Sequence, residues 1–220
     1  MFRVKVCGVT STGDALHAVS CGADAVGINF FPGSPRRVDE GTAREIVRAV
    51  GNRAEVIAVF VNENPDAITS LCARLGISRV QLHGDERAED AASMTLWRLK
   101  AVHAGGEVDL APLRTYPCEA FLVDAGSGRE YGGTGRPLPW TTLRDRFGDL
   151  LAGPRAAGPG KPWVLAGGLS PENVERAIAE SGPNAVDVAS GVESAPGRKD
   201  PERVAAFVER ARRGLLLAGA

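Results

Sequence analysis

Residues 163–174, WVLAGGLSPENV, read as one complete strand-to-helix unit. Trp163–Ala166 is a short run with no polar position, which suits a strand covered on both faces better than one with a wet side. Gly167 and Gly168 then permit a tight turn and a close backbone approach. Ser170-Pro171-Glu172-Asn173 puts a capping hydroxyl ahead of a proline at the first helical position, so a helix is expected over Pro171–Glu180.

The same unit recurs outward from this stretch. Apolar, β-branched runs at Arg3–Cys7, Ala25–Phe30, Glu55–Val61, Arg79–Leu82, Trp97–Ala101, Ala120–Asp124 and Val186–Ala189 bring the strand count to eight. Ser11–Cys21, Gly41–Val50, Pro65–Leu75, Asp85–Met94, Pro139–Phe147 and Asp200–Arg213 carry apolar residues at helical spacing, as in Ala67, Ile68, Leu71 and Leu75. Asp200-Pro201-Glu202 repeats the cap-then-proline start. Alternating strands and helices build a parallel sheet, and eight units predict closure into a single (β/α)₈ barrel over residues 1–220. An open doubly wound sheet is the alternative. Ala152–Pro162, rich in glycine, proline and alanine, reads as a surface connection within that one domain.

Composition narrows the partner. A formal charge of −1 supplies no overall field for nucleic acid or an anionic membrane, so an anion site must be built locally and a small molecule is the expected ligand. No stretch approaches the roughly 18 apolar residues of a membrane span. Cys7, Cys21, Cys72 and Cys118 show neither zinc-site spacing nor disulfide density, which fits reduced thiols and a cytoplasmic protein.

In either architecture functional groups gather where strands end. That rule selects Cys7-Gly8, the loop Phe31–Arg37 with Arg36, the string Gln81-Leu82-His83-Gly84, Asp124, Gly167-Gly168 and Ser190-Gly191. The loops after strands seven and eight commonly bind phosphate through backbone N–H groups, so Gly167, Gly168, Ser190 and Gly191 are the phosphate candidates. The run Gly132–Gly135, and Gly133 within it, is a further wall or lid of the same site. Asp187 precedes the phosphate loop, where an acid would repel the ligand, and so should turn inward to a cation such as Lys5.

The strings KVCGVT, GADAVGINFFPGSPRRV, AVFVNENP, VQLHGDE, YGGTGRPLPW, LAGGLSPENV and AVDVASGVESAPGRKD occur in this order across residues 3 to about 209. Together they resemble the phosphoribosylanthranilate isomerases of tryptophan biosynthesis. The resemblance implies a (β/α)₈ barrel, no cofactor or metal, and an Amadori rearrangement of an aminoaldose phosphate to an aminoketose phosphate. It implies Cys7 as general base, Asp124 as general acid and Arg36 as the holder of the anthranilate carboxylate, with Arg37 beside it uninvolved. Against that family pattern, Ala189 stands where many relatives carry serine, and residues 149–162 look inserted.

The chemistry asks for such a pair independently. Opening a ribofuranosyl amine needs a proton for the departing ring oxygen, and the iminium so formed must lose its C2′ proton. An acid at Asp124 requires a raised pKa, which burial would provide, and a base at Cys7 requires a nearby cation. Lys5 shares the face of Cys7 by strand alternation. Gln81 and His83 also share a face and are expected to line the mouth as substrate-binding groups. Nothing assigns His17 or His103 to chemistry.

Other readings remain open at this stage. Lys100 on the fifth strand is a formal Schiff-base lysine for an aldolase, an indoleglycerol-phosphate-type lyase would share the phosphate loops, and a non-catalytic barrel binding a phosphometabolite would share the fold. A monomer and a homodimer are equally compatible with the sequence.

Overall fold

Period-two alternation within each strand sorts side chains into two layers, and the computed structural model shows both. It describes residues 1–105, 108–125, 139–148, 150–151 and 160–219. Strands β1 (Val4–Cys7), β2 (Ala25–Asn29), β3 (Glu55–Phe60), β4 (Arg79–Leu82), β5 (Trp97–His103), β6 (Ala120–Asp124), β7 (Trp163–Ala166) and β8 (Ala185–Val188) pair in parallel in chain order. Lys5 lies opposite Asp187 where β1 pairs with β8, and this last ladder closes the barrel. An open doubly wound sheet, which needs two free edges, is thereby ruled out.

Inside the barrel a cluster of mostly small apolar residues includes Ala25, Leu99, Ala101, Leu122, Val164 and Ala185, with Phe2 near its lower end against Trp97. Outside, Val4, Val6, Ile28, Phe60, Leu82, Phe121 and Leu165 pack in a larger cluster with the helices. Burying each large side chain of that layer contributes about 1.5–3 kcal/mol. Lys5, Gln81 and Asp187 each alternate with outward-packed neighbours, so all three point into the lumen and are buried there.

The helices are α1 (Thr12–Ser20), α2 (Glu40–Val50), α3 (Pro65–Leu75), α4 (Ala88–Ser93), α5 (Ala111–Arg114), α6 (Trp140–Phe147), α7 (Val174–Ser181) and α8 (Pro201–Gly219). Asn64 caps α3 by accepting from the N–H groups of Asp66 and Ala67, and Asp200 does the same for α8 from Glu202 and Arg203. The α7 start needs correction. Residues 171–173 form a turn and the helix begins at Val174; Ser170 Oγ still accepts from Glu172 N, but Asn173 Oδ1 takes the N–H of Ser170 and stabilises the turn instead. Two further elements were not expected. They are the four-residue α5 and an antiparallel hairpin, β9 (Glu193–Ala195) with β10 (Arg198–Lys199), which follows a 3₁₀ turn at Ser190–Val192.

Candidate active site

The C-terminal ends of the strands bring the expected residues to one mouth. Cys7 ends β1 and is only 9% exposed. Gly8 follows with φ +71°, a left-handed turn, and a side chain there would run into the stem of Arg36. Below Cys7, the Lys5 ammonium donates to Asp187 Oδ1 at 2.9 Å and to Gln81 Oε1 at 3.0 Å. Asp187 therefore turns inward to Lys5 as its position before the phosphate loop predicts.

Electrostatics at Cys7 differ from the expectation. Lys5 stands beside the thiol and favours its ionisation, but burial, with Asp187 adding to it, outweighs that pull and holds the Cys7 pKa above the ordinary thiol value. Burial disfavours the Lys5 ammonium too, yet Asp187 and Cys7 more than reverse the effect and its pKa is raised. The buried pair is an ion pair whose partners each depend on the other.

At the end of β4, Gln81 is 2% exposed, with its amide oxygen on Lys5 and its amide nitrogen 2.7 Å from His83 Nδ1. Gln81 thus sits one layer beneath the mouth it was expected to line, and His83 stands above it. His83 Nε2 is 3.9 Å from Asp124 Oδ2. Burial lowers the His83 pKa, Asp124 opposes this and the His103 ring adds to it, so the imidazole is held below its ordinary value. Asp124 ends β6 and keeps 25% of its side chain exposed, so it is only partly buried.

His103 is a residue that sequence reasoning missed. β5 runs two residues past its predicted end, His103 registers against Asp124, and its ring packs edge-on to His83 at 5.2 Å. His83, His103 and Asp124 offer ligand atoms all within 4.8 Å of one another, a composition able to hold a divalent ion.

Arg36 reaches across from the β2–α2 loop, and Arg37 beside it is exposed. Arg36 donates through Nε and Nη2 to the two carboxylate oxygens of Glu193 at 2.8 and 2.7 Å. Hydrogen bonding to Glu193 raises the Arg36 pKa. Burial alone would raise Glu193, but Arg36 and Lys199, the latter at 2.8 Å, hold its carboxyl below the usual range. Composition and spacing do not single out Glu193, because its partner Arg36 lies 157 residues away.

The loops after β7 and β8 are in contact. A side chain at Gly191 would collide with the carbonyl of Leu169, so glycine there is what lets the two loops pack. Gly167 and Gly168 both take left-handed backbone conformations, at φ +87° and +67°. Asn173 Nδ2 donates to Gly168 O and Lys199 Nζ to Ala189 O. The trans peptide plane then turns the Ser190 N–H away from Lys199. Gly133, the remaining phosphate candidate, lies outside the described residues.

Lys100 does not face the lumen. It alternates with Leu99 and Ala101, which do, and it is paired with Glu86 at 2.7 Å and with the carbonyl of Gly84 on the helix side. A Schiff-base role for it is therefore set aside.

Comparison with known proteins agrees with this geometry. The family profile described as N-(5'phosphoribosyl)anthranilate (PRA) isomerase matches residues 4–210. The N-(5'-phosphoribosyl)anthranilate isomerase of Neisseria meningitidis is 44% identical over 215 residues, covering 96% of this chain and 97% of that protein. A solved phosphoribosyl anthranilate isomerase in complex with reduced 1-(o-carboxyphenylamino)-1-deoxyribulose 5-phosphate superposes with a TM-score of 0.81 at 35% identity, covering 97% of this chain and 100% of that one. Monomers generated from the dimeric enzyme of Thermotoga maritima superpose with a TM-score of 0.77 at 35% identity, covering 96% and 99%. The chain therefore belongs to the N-(5'-phosphoribosyl)anthranilate isomerase family.

Proposed function

We propose that Cys7 and Asp124 are the base and the acid of the reaction for which the family is named. The chain is an isomerase that converts N-(5'-phosphoribosyl)anthranilate to 1-(2-carboxyphenylamino)-1-deoxyribulose 5-phosphate in tryptophan biosynthesis. The observation that carries the assignment of roles is the polar chain in the lumen. Lys5 adjoins Cys7 at one end, and Gln81 and His83 lead from Lys5 toward Asp124 at the other.

The steps follow from the arrangement. Asp124 protonates the ring oxygen as the C1′–O bond breaks, and the nitrogen lone pair forms the iminium. The Cys7 thiolate then takes the C2′ proton and the electrons of that C–H bond neutralise the iminium as an enolamine. Tautomerisation moves a proton to C1′ and leaves the C2′ ketone. Burial raises the Cys7 pKa in the free protein, so the thiolate forms by loss of the thiol proton to solvent before the C2′ proton is taken. The iminium is a positive charge arriving in the same dry space, and it favours the thiolate at the moment a base is needed.

Arg36 spends its Nε–Nη2 edge on Glu193, which leaves the Nη1 end of the guanidinium for the anthranilate carboxylate. His83 contributes to the substrate side of the mouth and Gln81 acts beneath it. Gly167, Gly168, Ser190 and Gly191, with Gly133, form the phosphate subsite. No cofactor is required by these steps. No helix among the described residues is long and apolar enough to cross a membrane. The protein on this reading is a single cytoplasmic catalytic domain, monomer or homodimer, that binds a phosphorylated small molecule and no nucleic acid.

The test is loss of anthranilate-type fluorescence from freshly formed substrate, measured for wild type, Cys7→Ser and Asp124→Asn. Each variant should lose roughly 10²–10⁴-fold in turnover, the range for deleting a general acid or base. A folded variant that turns over like wild type moves that role to another residue.

A further inference from the structure

Two hydrogen bonds in the lumen decide which nitrogen of His83 carries its proton. Lys5 is fully buried and, as an ammonium, can only donate. Its 3.0 Å contact therefore requires the carbonyl oxygen of Gln81, which turns the amide NH₂ of Gln81 the other way, onto His83 Nδ1 at 2.7 Å. An NH₂ group has no lone pair to offer, so His83 Nδ1 must be the acceptor. A neutral imidazole that accepts at Nδ1 carries its hydrogen on Nε2, and Nε2 is the atom that faces Asp124 Oδ2 at 3.9 Å.

We propose that Lys5 and Gln81 are positioning residues that hold His83 as its Nε2–H tautomer, so that a hydrogen-bond donor faces the carboxyl of Asp124. The catalytic consequence rests on the reading of Asp124 as the acid. A donor facing Oδ2 from 3.9 Å leaves the carboxylic proton of Asp124 to its other oxygen and favours the carboxylate that forms once that proton has passed to the ring oxygen. The buried Asp187 contributes by keeping Lys5 an ammonium. The depressed His83 pKa agrees, since an imidazolium would carry both protons and need no such selection. With Nε2 protonated the ring also has no lone pair for a cation there, which sets His83 against the ligand role that its grouping with His103 and Asp124 would allow.

The test is long-range ¹H–¹⁵N correlation on the ¹⁵N-labelled free protein. The chain has three histidines, His17, His83 and His103, and single replacements of His17 and His103 assign the signals. Wild-type His83 should show a pyridine-type Nδ1 and a pyrrole-type Nε2. Gln81→Glu offers Lys5 a counterion but can only accept from His83. At about pH 9, well above the histidine range, it should swap the two nitrogen types. Its kcat at that pH should fall about tenfold or more while KM stays within about threefold of wild type. Gln81→Met keeps the volume, gives Nδ1 no donor, and should show mixed tautomers. A wild-type His83 with the proton on Nδ1, a Gln81→Glu variant that keeps Nε2–H, or a swapped tautomer with wild-type kcat would each overturn the proposal. If instead Asp124→Asn retains full activity, the acid assignment fails while the tautomer, read without substrate, stands.

Discussion

Replacing Gly27 by alanine sets a methyl group in the lumen beside the proposed base. Gly27 is the β2 residue opposite Cys7, and a Cβ built there lies 2.7 Å from Cys7 Sγ, 3.0 Å from Lys5 Nζ and 3.1 Å from Lys5 Cε. Ordinary contact begins at 3.4 Å, so the sulfur is too close by about 0.7 Å, the difference of the two distances. Lys5 cannot yield, because Asp187 and Gln81 tether its ammonium at 2.9 and 3.0 Å. The thiol must therefore move. Overpacking of this kind costs about 1–3 kcal/mol of stability. A misplacement approaching 1 Å costs on the order of tenfold to 10²-fold in kcat/KM. The assay is substrate fluorescence loss for activity, with urea unfolding of the same preparation for stability. Gly76→Ala is the control, since Gly76 caps α3 at φ +72° with open space around its missing side chain. It should lose about 1–2 kcal/mol from backbone strain and no activity. A folded Gly27→Ala protein with kcat/KM within about threefold of wild type refutes the placement of Cys7 as a constrained base.

Two other perturbations probe the charged groups. Arg36→Lys keeps the charge but loses the planar fork that serves Glu193 on one edge and the substrate on the other. KM should rise about 10- to 100-fold with kcat changed less, the worth of a hydrogen bond to a charged group; a kcat loss at constant KM would speak for a different role. Burial raises the Glu86 pKa but Lys100 at 2.7 Å and backbone N–H donors more than offset it, so the folded value is depressed. A depressed carboxylate stabilises above its unfolded pKa of about 4.3, and that contribution disappears as pH falls through the folded value. The unfolding free energy of wild type minus that of Glu86→Gln should hold constant from neutral pH to about 5 and shrink below about 4. A difference that persists undiminished at about pH 3 contradicts the ion-pair origin.

The sequence marks strands best where burial on both faces leaves little freedom. β4, β6 and β7, and the proline-started α3, have the predicted ends. β5 runs past its predicted end at Ala101, because Val102 and His103 pair with Val123 and Asp124 of β6 and only that register shows where the strand stops. α8 runs to Gly219 rather than Arg213, since Gly214 packs against Ile178 where a larger residue would crowd. The inward turn of Asp187 to Lys5 is legible from charge, since an acid ahead of the phosphate loop would repel the ligand, and the shared face of Gln81 and His83 from alternation. His103 and Glu193 were not legible, because their roles arise from register and from a contact between opposite ends of the chain. The depth of Gln81 was misjudged for the same reason. Alternation gives the face of a strand residue, and closure of the barrel decides how far below the rim it sits.

Glu193 gives the mouth a fixed scale. It follows the Ser190–Val192 turn directly, opens the β9–β10 hairpin, and grips Arg36 with both oxygens. The hairpin is itself pinned, since Thr10 donates to Gly197 O at 2.5 Å and Lys199 N donates to Asp14. On the proposed assignments, the phosphate end and the carboxylate end of the ligand are thus hung from the same few residues of backbone. Such a frame works as a caliper. It selects for the separation between two anionic groups, and a sugar chain one carbon longer or shorter would have to release one jaw before any proton moved.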